Sequence, residues 1–392
     1  MKPTRKKKFA GFTLLEMMIA MAVTLILLAA AVMTFRDANS SNQVVTQAAD
    51  MTENFRAALN NIEVDLQQAG TGMPPGGINI PYTPNGSSSS PCSTQPGINR
   101  PKLGGQTTFP VCNSTLPAVE PGNMLGPSIT APDATSGTPT NPGSITDEIT
   151  ILYADNTLGL DADPVNKAAT AGPPASPACN GTLKLSGTTL TVTFDPACAN
   201  LDPTQTNGIR MQVGDLVMFT NTNGNALLAV TGIAGQSLTF GSGDAFNLNG
   251  RSDPLGTIQS LETGGATCGG GTACFPPTLA TRIWMVTYYL DNVSAPPFVR
   301  LIRQLNMYPP SPVGETLENL QFTYNFVDGV TNPTNQPTVP SGNSESQIRS
   351  VNVYLAARSG YRVREGNQSI FARTNLQTQV SLRSLAYTNP YQ

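Results

Sequence analysis

Residues 5 to 35, RKKKFAGFTLLEMMIAMAVTLILLAAAVMTF, constrain the chain more than any other stretch. A basic leader with Lys6, Lys7 and Lys8 gives way at Gly11-Phe12 to an apolar run that reaches Phe35 and carries one charge, Glu16. The run from Phe12 to Phe35 is 24 residues. As a helix rising about 1.5 Å per residue it spans a bilayer's hydrocarbon core. The lysines hold the N-terminus on the cytoplasmic side. A carboxylate inside such a segment is costly and persists where it has a partner or a task. The competing reading is an ordinary secretory signal cleaved near Ala29-Ala30-Ala31. The acid within the apolar run, and the length of that run, count against it.

The succession Gly11-Phe12-Thr13-Leu14-Leu15-Glu16 behind a lysine-rich leader resembles the type IV prepilins. The resemblance implies cleavage between Gly11 and Phe12 by a membrane prepilin peptidase, then N-methylation of the new Phe12 amine. It also implies a task for Glu16, which becomes the fifth mature residue. Its carboxylate neutralises the terminal amine of a neighbouring subunit, since the two charges buried together cost far less than either alone. The implied partners are other pilins, major and minor, met through the N-terminal helix. The implied location is the inner membrane before assembly and an extracellular pilus, at its tip, afterwards.

The apolar pattern continues past Phe35. Val44 or Val45, Ala48, Met51, Phe55, Leu59, Ile62 and Leu66 recur at steps of three and four, one stripe of an amphipathic helix. Asp50, Glu53, Asn54, Asn60, Glu63 and Asp65 read as the opposite, solvent face. Gly70-Thr71-Gly72-Met73-Pro74-Pro75 supplies the stop. The helix is therefore expected over about 12–69. Residues 73–145 are rich in Pro, Gly, Ser, Thr and Asn and read as long loops rather than a packed domain.

Strand signals start at 146. Asp147–Tyr153 alternates, and Leu183–Gly187 with Thr189–Phe194 reads as a hairpin on a Ser-Gly turn. Gly214–Phe219, Ala226–Val230 and Ser237–Phe240 read as a meander. Ile283–Leu290 with Phe298–Arg303 reads as a second hairpin, and Leu317–Phe326, Ile348–Ala356 and Gln377–Arg383 close the chain. The order DEITILYA, GDLVMF, TYYLDN, VRLIR, IRSVNVYLAARS and VSLRSL is similar to the PilW-type minor pilins, large low-abundance pilins implicated in starting pilus assembly. The expected fold is α+β and pilin-like. A long N-terminal helix packs on an antiparallel β-sheet head with loop-rich and strand-rich insertions. The expected divisions are a leader (1–11), a membrane and filament-core half-helix (12–35), an amphipathic half-helix (36–72), a loop-rich segment (73–145) and a β-rich head (146–392).

Composition narrows the chemistry. There is no histidine, so Ser-His-Asp and Cys-His catalysis and most zinc mechanisms are closed to this chain. No phosphate-binding loop, nucleophile elbow or haem motif occurs, and neither an enzyme nor a cofactor is expected. The net charge is −3, and loss of residues 1–11 removes five basic groups to leave −8. Such a chain has no general pull toward nucleic acid. Arg300, Arg303, Arg349, Arg358, Arg362 and Arg364 read as strand-face charges or partners for acids. Tyr288, Tyr289, Tyr354 and Tyr361 read as core positions, and Asp155, Asn156, Asp161 and Asp163 as turn residues without calcium-loop spacing.

Six cysteines, Cys92, Cys112, Cys179, Cys198, Cys268 and Cys274, all lie beyond the anchor. An even number in an exported head reads as disulfides, of which fifteen pairings are possible. Sequence neighbours are favoured, Cys92 with Cys112, Cys179 with Cys198 and Cys268 with Cys274. Together these readings describe a structural subunit, a minor type IV pilin that primes or caps assembly. The alternatives are a minor pseudopilin of a type II secretion system, which the N-terminus cannot separate from it, and a pilus-tip adhesin or DNA-uptake receptor.

Overall fold

The apolar run and the amphipathic stripe form one helix, Leu14–Gln68, of 55 residues. A computed structural model describes residues 13–82, 97–102, 107–109, 114–129, 145–155, 181–194, 211–262, 275–276, 278–365 and 368–386. The chain divides into a unit of Met1–Glu53 with Ser359–Ala372 and a unit of Asn54–Arg358 with Arg373–Gln392. In the first, a short hairpin pairs Val363–Glu365 with Gln368–Ile370. The second holds the sheets.

Its principal strands, in chain order, are β1 (Val119–Gly122), β2 (Glu148–Ala154), β3 (Gly181–Ser186), β4 (Thr189–Phe194), β5 (Leu216–Asn221), β6 (Gly224–Ala229) and β7 (Gly232–Ala234). Next come β8 (Ser237–Phe240), β9 (Leu279–Asp291), β10 (Arg300–Leu305), β11 (Ser311–Glu315), β12 (Leu317–Phe326), β13 (Ile348–Arg358) and β14 (Arg373–Ser381). A seven-stranded antiparallel sheet runs β6-β5-β9-β10-β11, with β2 also paired to β9 and β1 beyond β2. The pairings of β2 and β10 overlap along Val286–Tyr288 of β9, so the two lie on opposite edges of that strand. A four-stranded sheet runs β7-β8-β4-β3, and a three-stranded sheet runs β12-β13-β14. The fold is thus α+β and pilin-like.

The run Leu216-Val217-Met218-Phe219 explains why the seven-stranded sheet is covered twice. Side chains alternate across a strand, so an uninterrupted apolar run needs a partner on each face. Val217 and Phe219 join Leu190, Val192, Leu238 and Phe240 of the four-stranded sheet. Leu216 and Met218 join Ile78, Ile98, Phe109 and Leu116 on the other side. The last four lie within 73–145, whose described parts therefore contribute to the core despite reading as loop. Isolated apolar residues between turns leave little periodic signal in sequence. The expected meander also divides. β5 and β6 stay in the larger sheet, while β8 pairs with β4 in the smaller. Alternation fixes which face of a strand is buried but not which neighbour it takes.

From Asn54 onward the helix presents Phe55, Ala58, Leu59, Ile62 and Leu66 as a fully or nearly buried row. Gly314 of β11 lies opposite Ala58, where a Cβ on the glycine would come within 2.8 Å of the Ala58 Cβ. The Thr378 hydroxyl of β14 donates to Glu63 at 3.0 Å. The helix end is tied to β2, with the Gly70 amide bonded to the Leu152 carbonyl and the Ala154 amide to the Thr71 carbonyl, each at 2.8 Å. Gly70 (φ 77°) and Gly72 (φ 70°) take the left-handed conformation that ends the helix.

Candidate functional site

The first helical turn is organised by two residues. The Thr13 amide and hydroxyl both donate to Glu16 Oε2, at 2.9 and 3.0 Å, and the Glu16 amide donates back to the Thr13 hydroxyl at 3.3 Å. This is a reciprocal capping box, in which Thr-x-x-Glu satisfies amides that a helix start leaves open. It lowers the cost of keeping a carboxylate in an apolar segment. Glu16 Oε1 takes no hydrogen bond from any described residue.

The rest of the segment contains no comparable opening. The Thr24 hydroxyl donates to the carbonyls of Ala20 and Met21, and that of Thr34 to those of Ala30 and Ala31. Such back-bonding removes the polarity of both threonines inside an apolar solvent. From Leu14 (80% exposed) to Phe35 (70% exposed) the large apolar side chains of the helix are exposed among the described residues. The helix is long and apolar enough to cross a membrane.

The head end of the helix carries a second polar centre, which the sequence reading placed on the solvent face. Asp65 is buried. Its spacing from Ala58, Ile62 and Ala69 puts it within the buried row, and that spacing was the signal available in sequence. Arg303 of β10 forks onto its carboxylate, Nε to Oδ2 at 2.7 Å and Nη2 to Oδ1 at 3.0 Å. Tyr288 of β9 donates to Oδ2 at 2.6 Å and Tyr153 of β2 to Oδ1 at 3.2 Å. Burial, then the Asp65 charge, raises both phenols well above their ordinary pKa. Hydrogen bonding to Asp65 raises the Arg303 guanidinium. The chemistry of this centre is attachment, since one carboxylate ties the helix to three strands of one sheet.

Two further buried charge clusters sit in the head. Asp215 receives Arg282 at 3.1 Å and also the Tyr308 hydroxyl. Arg100, fully buried over the Phe109 ring, lies 3.6 Å from Glu120. Burial pushes the Glu120 carboxyl up to about 8 against the pull of Arg100.

Among the residues singled out in sequence, Glu16 falls in the capping box. Gly11, Phe12 and all six cysteines lie outside the described residues, as do Asn156, Asp161 and Asp163. Asp155 lies 3.6 Å from Arg282. Arg300, Arg303 and Arg358 pair with Glu315, Asp65 and Glu318, and the Arg362 guanidinium lies over the Phe371 ring. Tyr288 and Tyr289 are buried, whereas Tyr354 is half-buried and Tyr361 exposed.

Residues 6–32 match the model of the prokaryotic N-terminal methylation motif. Over this stretch the chain is type IV prepilin-like, and the apolar helix that follows is fit to anchor it in a membrane. No curated protein and no solved structure matches the chain.

Proposed function

We propose that this chain is a minor type IV pilin that primes or caps pilus assembly. Prepilin peptidase cuts between Gly11 and Phe12, and the Phe12 amine is methylated. The Glu16 carboxylate then accepts the Phe12 amine of a neighbouring subunit as the helix passes from membrane to filament core. The observation that carries this reading is the state of Glu16. One carboxylate oxygen is committed to the helix start, the other is open, and every other polar side chain in the described span is closed on its own helix. An amine arriving at Oε1 finds an acceptor already oriented by Thr13, and the pair costs less in an apolar core than either charge alone. Partners are other pilins and the peptidase. A head that fills most of a 392-residue chain is bulky to repeat along a thin shaft, which supports a place at the tip.

The test is N-terminal peptide mass spectrometry of the protein from its native membrane, paired with Glu16→Ala. The expected start is N-methyl-Phe12, and Glu16→Ala is cleaved normally but loses incorporation. A start after Ala31, an uncleaved Met1, or unchanged incorporation of Glu16→Ala refutes the reading. The same peptide maps, run without reduction, check the proposed pairs Cys92–Cys112, Cys179–Cys198 and Cys268–Cys274.

A further inference from the structure

The three-stranded sheet β12-β13-β14 buries one face and shows the other. Leu320, Phe322 and Tyr324 of β12 and Val351, Val353 and Leu355 of β13 are fully or nearly buried. On the same side the Thr378 hydroxyl meets Glu63 of the helix. Side chains alternate along a strand, so the residues between these form the opposite face. The register sets them in rows across the sheet, with Gln321, Tyr354 and Gln377 in one and Thr323, Asn352 and Gln379 in the next. Asn325, Ser350 and Ser381 follow at one end, and Asn319, Ala356 and Asn375 stand at the other.

No residue in these rows is charged. A solvated sheet face is where Lys, Arg, Asp and Glu are ordinarily found. At its margin, Arg373 and Glu318 bond each other at 2.8 Å. Most residues of the face are Asn or Gln, whose amides both donate and accept. Several are held in place by their neighbours. Asn325 Nδ2 and Gln379 Nε2 both donate to the Ser350 hydroxyl, at 2.8 and 2.9 Å. Asn352 Nδ2 donates to Thr323 Oγ1 at 3.1 Å and to Asn335 Oδ1 at 2.9 Å. Gln379 is thus fixed through its nitrogen, and its oxygen is an open acceptor among the described residues. Gln377 is exposed, and its side chain bonds no described residue. The one aromatic ring is Tyr354, half-buried on the central strand. Its hydroxyl lies 3.5 Å from Asn375 Nδ2, on the diagonal toward β14 and beside the small Ala356. The ring is therefore inclined along the face rather than upright on it.

We infer that this face binds a neutral, hydroxyl-rich polymer, a linear polysaccharide without carboxylates or phosphates. Sugar hydroxyls donate and accept, as the amides do, and the C–H face of a pyranose suits an inclined tyrosine ring. Successive rows lie about 6.7 Å apart, so an extended chain meets a fresh set of amides at each row. Amides fixed before the ligand arrives lose little freedom on binding. The charge balance selects against other polymers. Nucleic acids and acidic glycans are drawn by Lys and Arg, which the face lacks. With Ala356 as its only aliphatic side chain, it offers a peptide no apolar anchor. This binding goes beyond the assembly role proposed above and stands without it.

The test is retention of the full chain, in a detergent without a sugar headgroup, on cellulose, amylose and chitin beads, with alginate and duplex DNA beads beside them. The expected result is retention on at least one neutral polymer and none on alginate or DNA. Gln377→Ala removes an exposed side chain without an internal bond, so its melting temperature should stay at the parent value while its apparent Kd rises. Adding Tyr354→Ala should bring the rise to about tenfold or more, the scale of one or two lost hydrogen bonds. Val293→Ala, at an exposed site between β9 and β10, should leave the Kd unchanged. Three results overturn the inference: no retention on any of the neutral polymers, equal retention on alginate or DNA, or a Kd that the Gln377 and Tyr354 changes do not move.

Discussion

Replacing Asp65 by Asn tests whether the helix is held to the head by charge. The change keeps the shape of the side chain, so no cavity confuses the result. It removes the negative charge that takes the Arg303 fork at 2.7 and 3.0 Å and the tyrosine hydroxyls at 2.6 and 3.2 Å. It also turns one acceptor into an amide donor facing other donors. Breaking a buried pair by removing one partner costs about 3–5 kcal/mol. The Arg303 side chain is 26% exposed and recovers some hydration, so the lower end, about 3 kcal/mol, is expected. The assay is urea unfolding of the detergent-solubilised full chain, followed by fluorescence of its sole tryptophan, Trp284. Trp284 lies in β9, the strand that carries Tyr288. Asp65→Asn combined with Arg303→Met should cost at least about 1 kcal/mol less than the two changes summed, because the second removes the charge the first strands. A loss below about 0.5 kcal/mol, or strict additivity, refutes the assignment of this centre as the anchor.

Two further outcomes follow from the head. Gly314→Ala drives a methyl to 2.8 Å from Ala58 and should cost about 1–3 kcal/mol in the same assay, with part of the loss recovered by adding Ala58→Gly. Glu120 ionises near 4.5 when unfolded and near 8 when folded, so the folded state holds a proton that the unfolded state has lost between those values. Its contribution is present below about pH 4.5 and declines as pH rises through 8. Urea midpoints of Glu120→Gln should show a flatter decline over that window than those of the parent chain.

The helix, its stop at Gly70 and both hairpins were readable because each has a periodic pattern with a turn residue at its end. The capping box was readable as Thr13-x-x-Glu16 but was overshadowed by the membrane cost of the acid. Asp65 gives two opposed signals, since its polarity points to solvent while its spacing from Ile62 and Ala69 matches the buried row that it joins. Partners such as Arg303 and Tyr288 are more than two hundred residues away in sequence. No local pattern announces a contact of that separation. Sheet membership failed for the same reason. Leu238 and Phe240 alternate correctly for a strand, yet only the packing of Phe219 against Phe240, with ring centroids 5.3 Å apart, shows which layer they close.

The ties along the last helical turns have a mechanical reading. The Arg303 fork, the two tyrosine hydroxyls and the Glu63–Thr378 bond all run sideways from the helix to strands. Tension along the helix axis therefore loads them in shear, together, rather than peeling them apart in sequence. Rupture then requires several bonds to fail in one event, so the joint should resist a steady axial pull better than its equilibrium stability indicates.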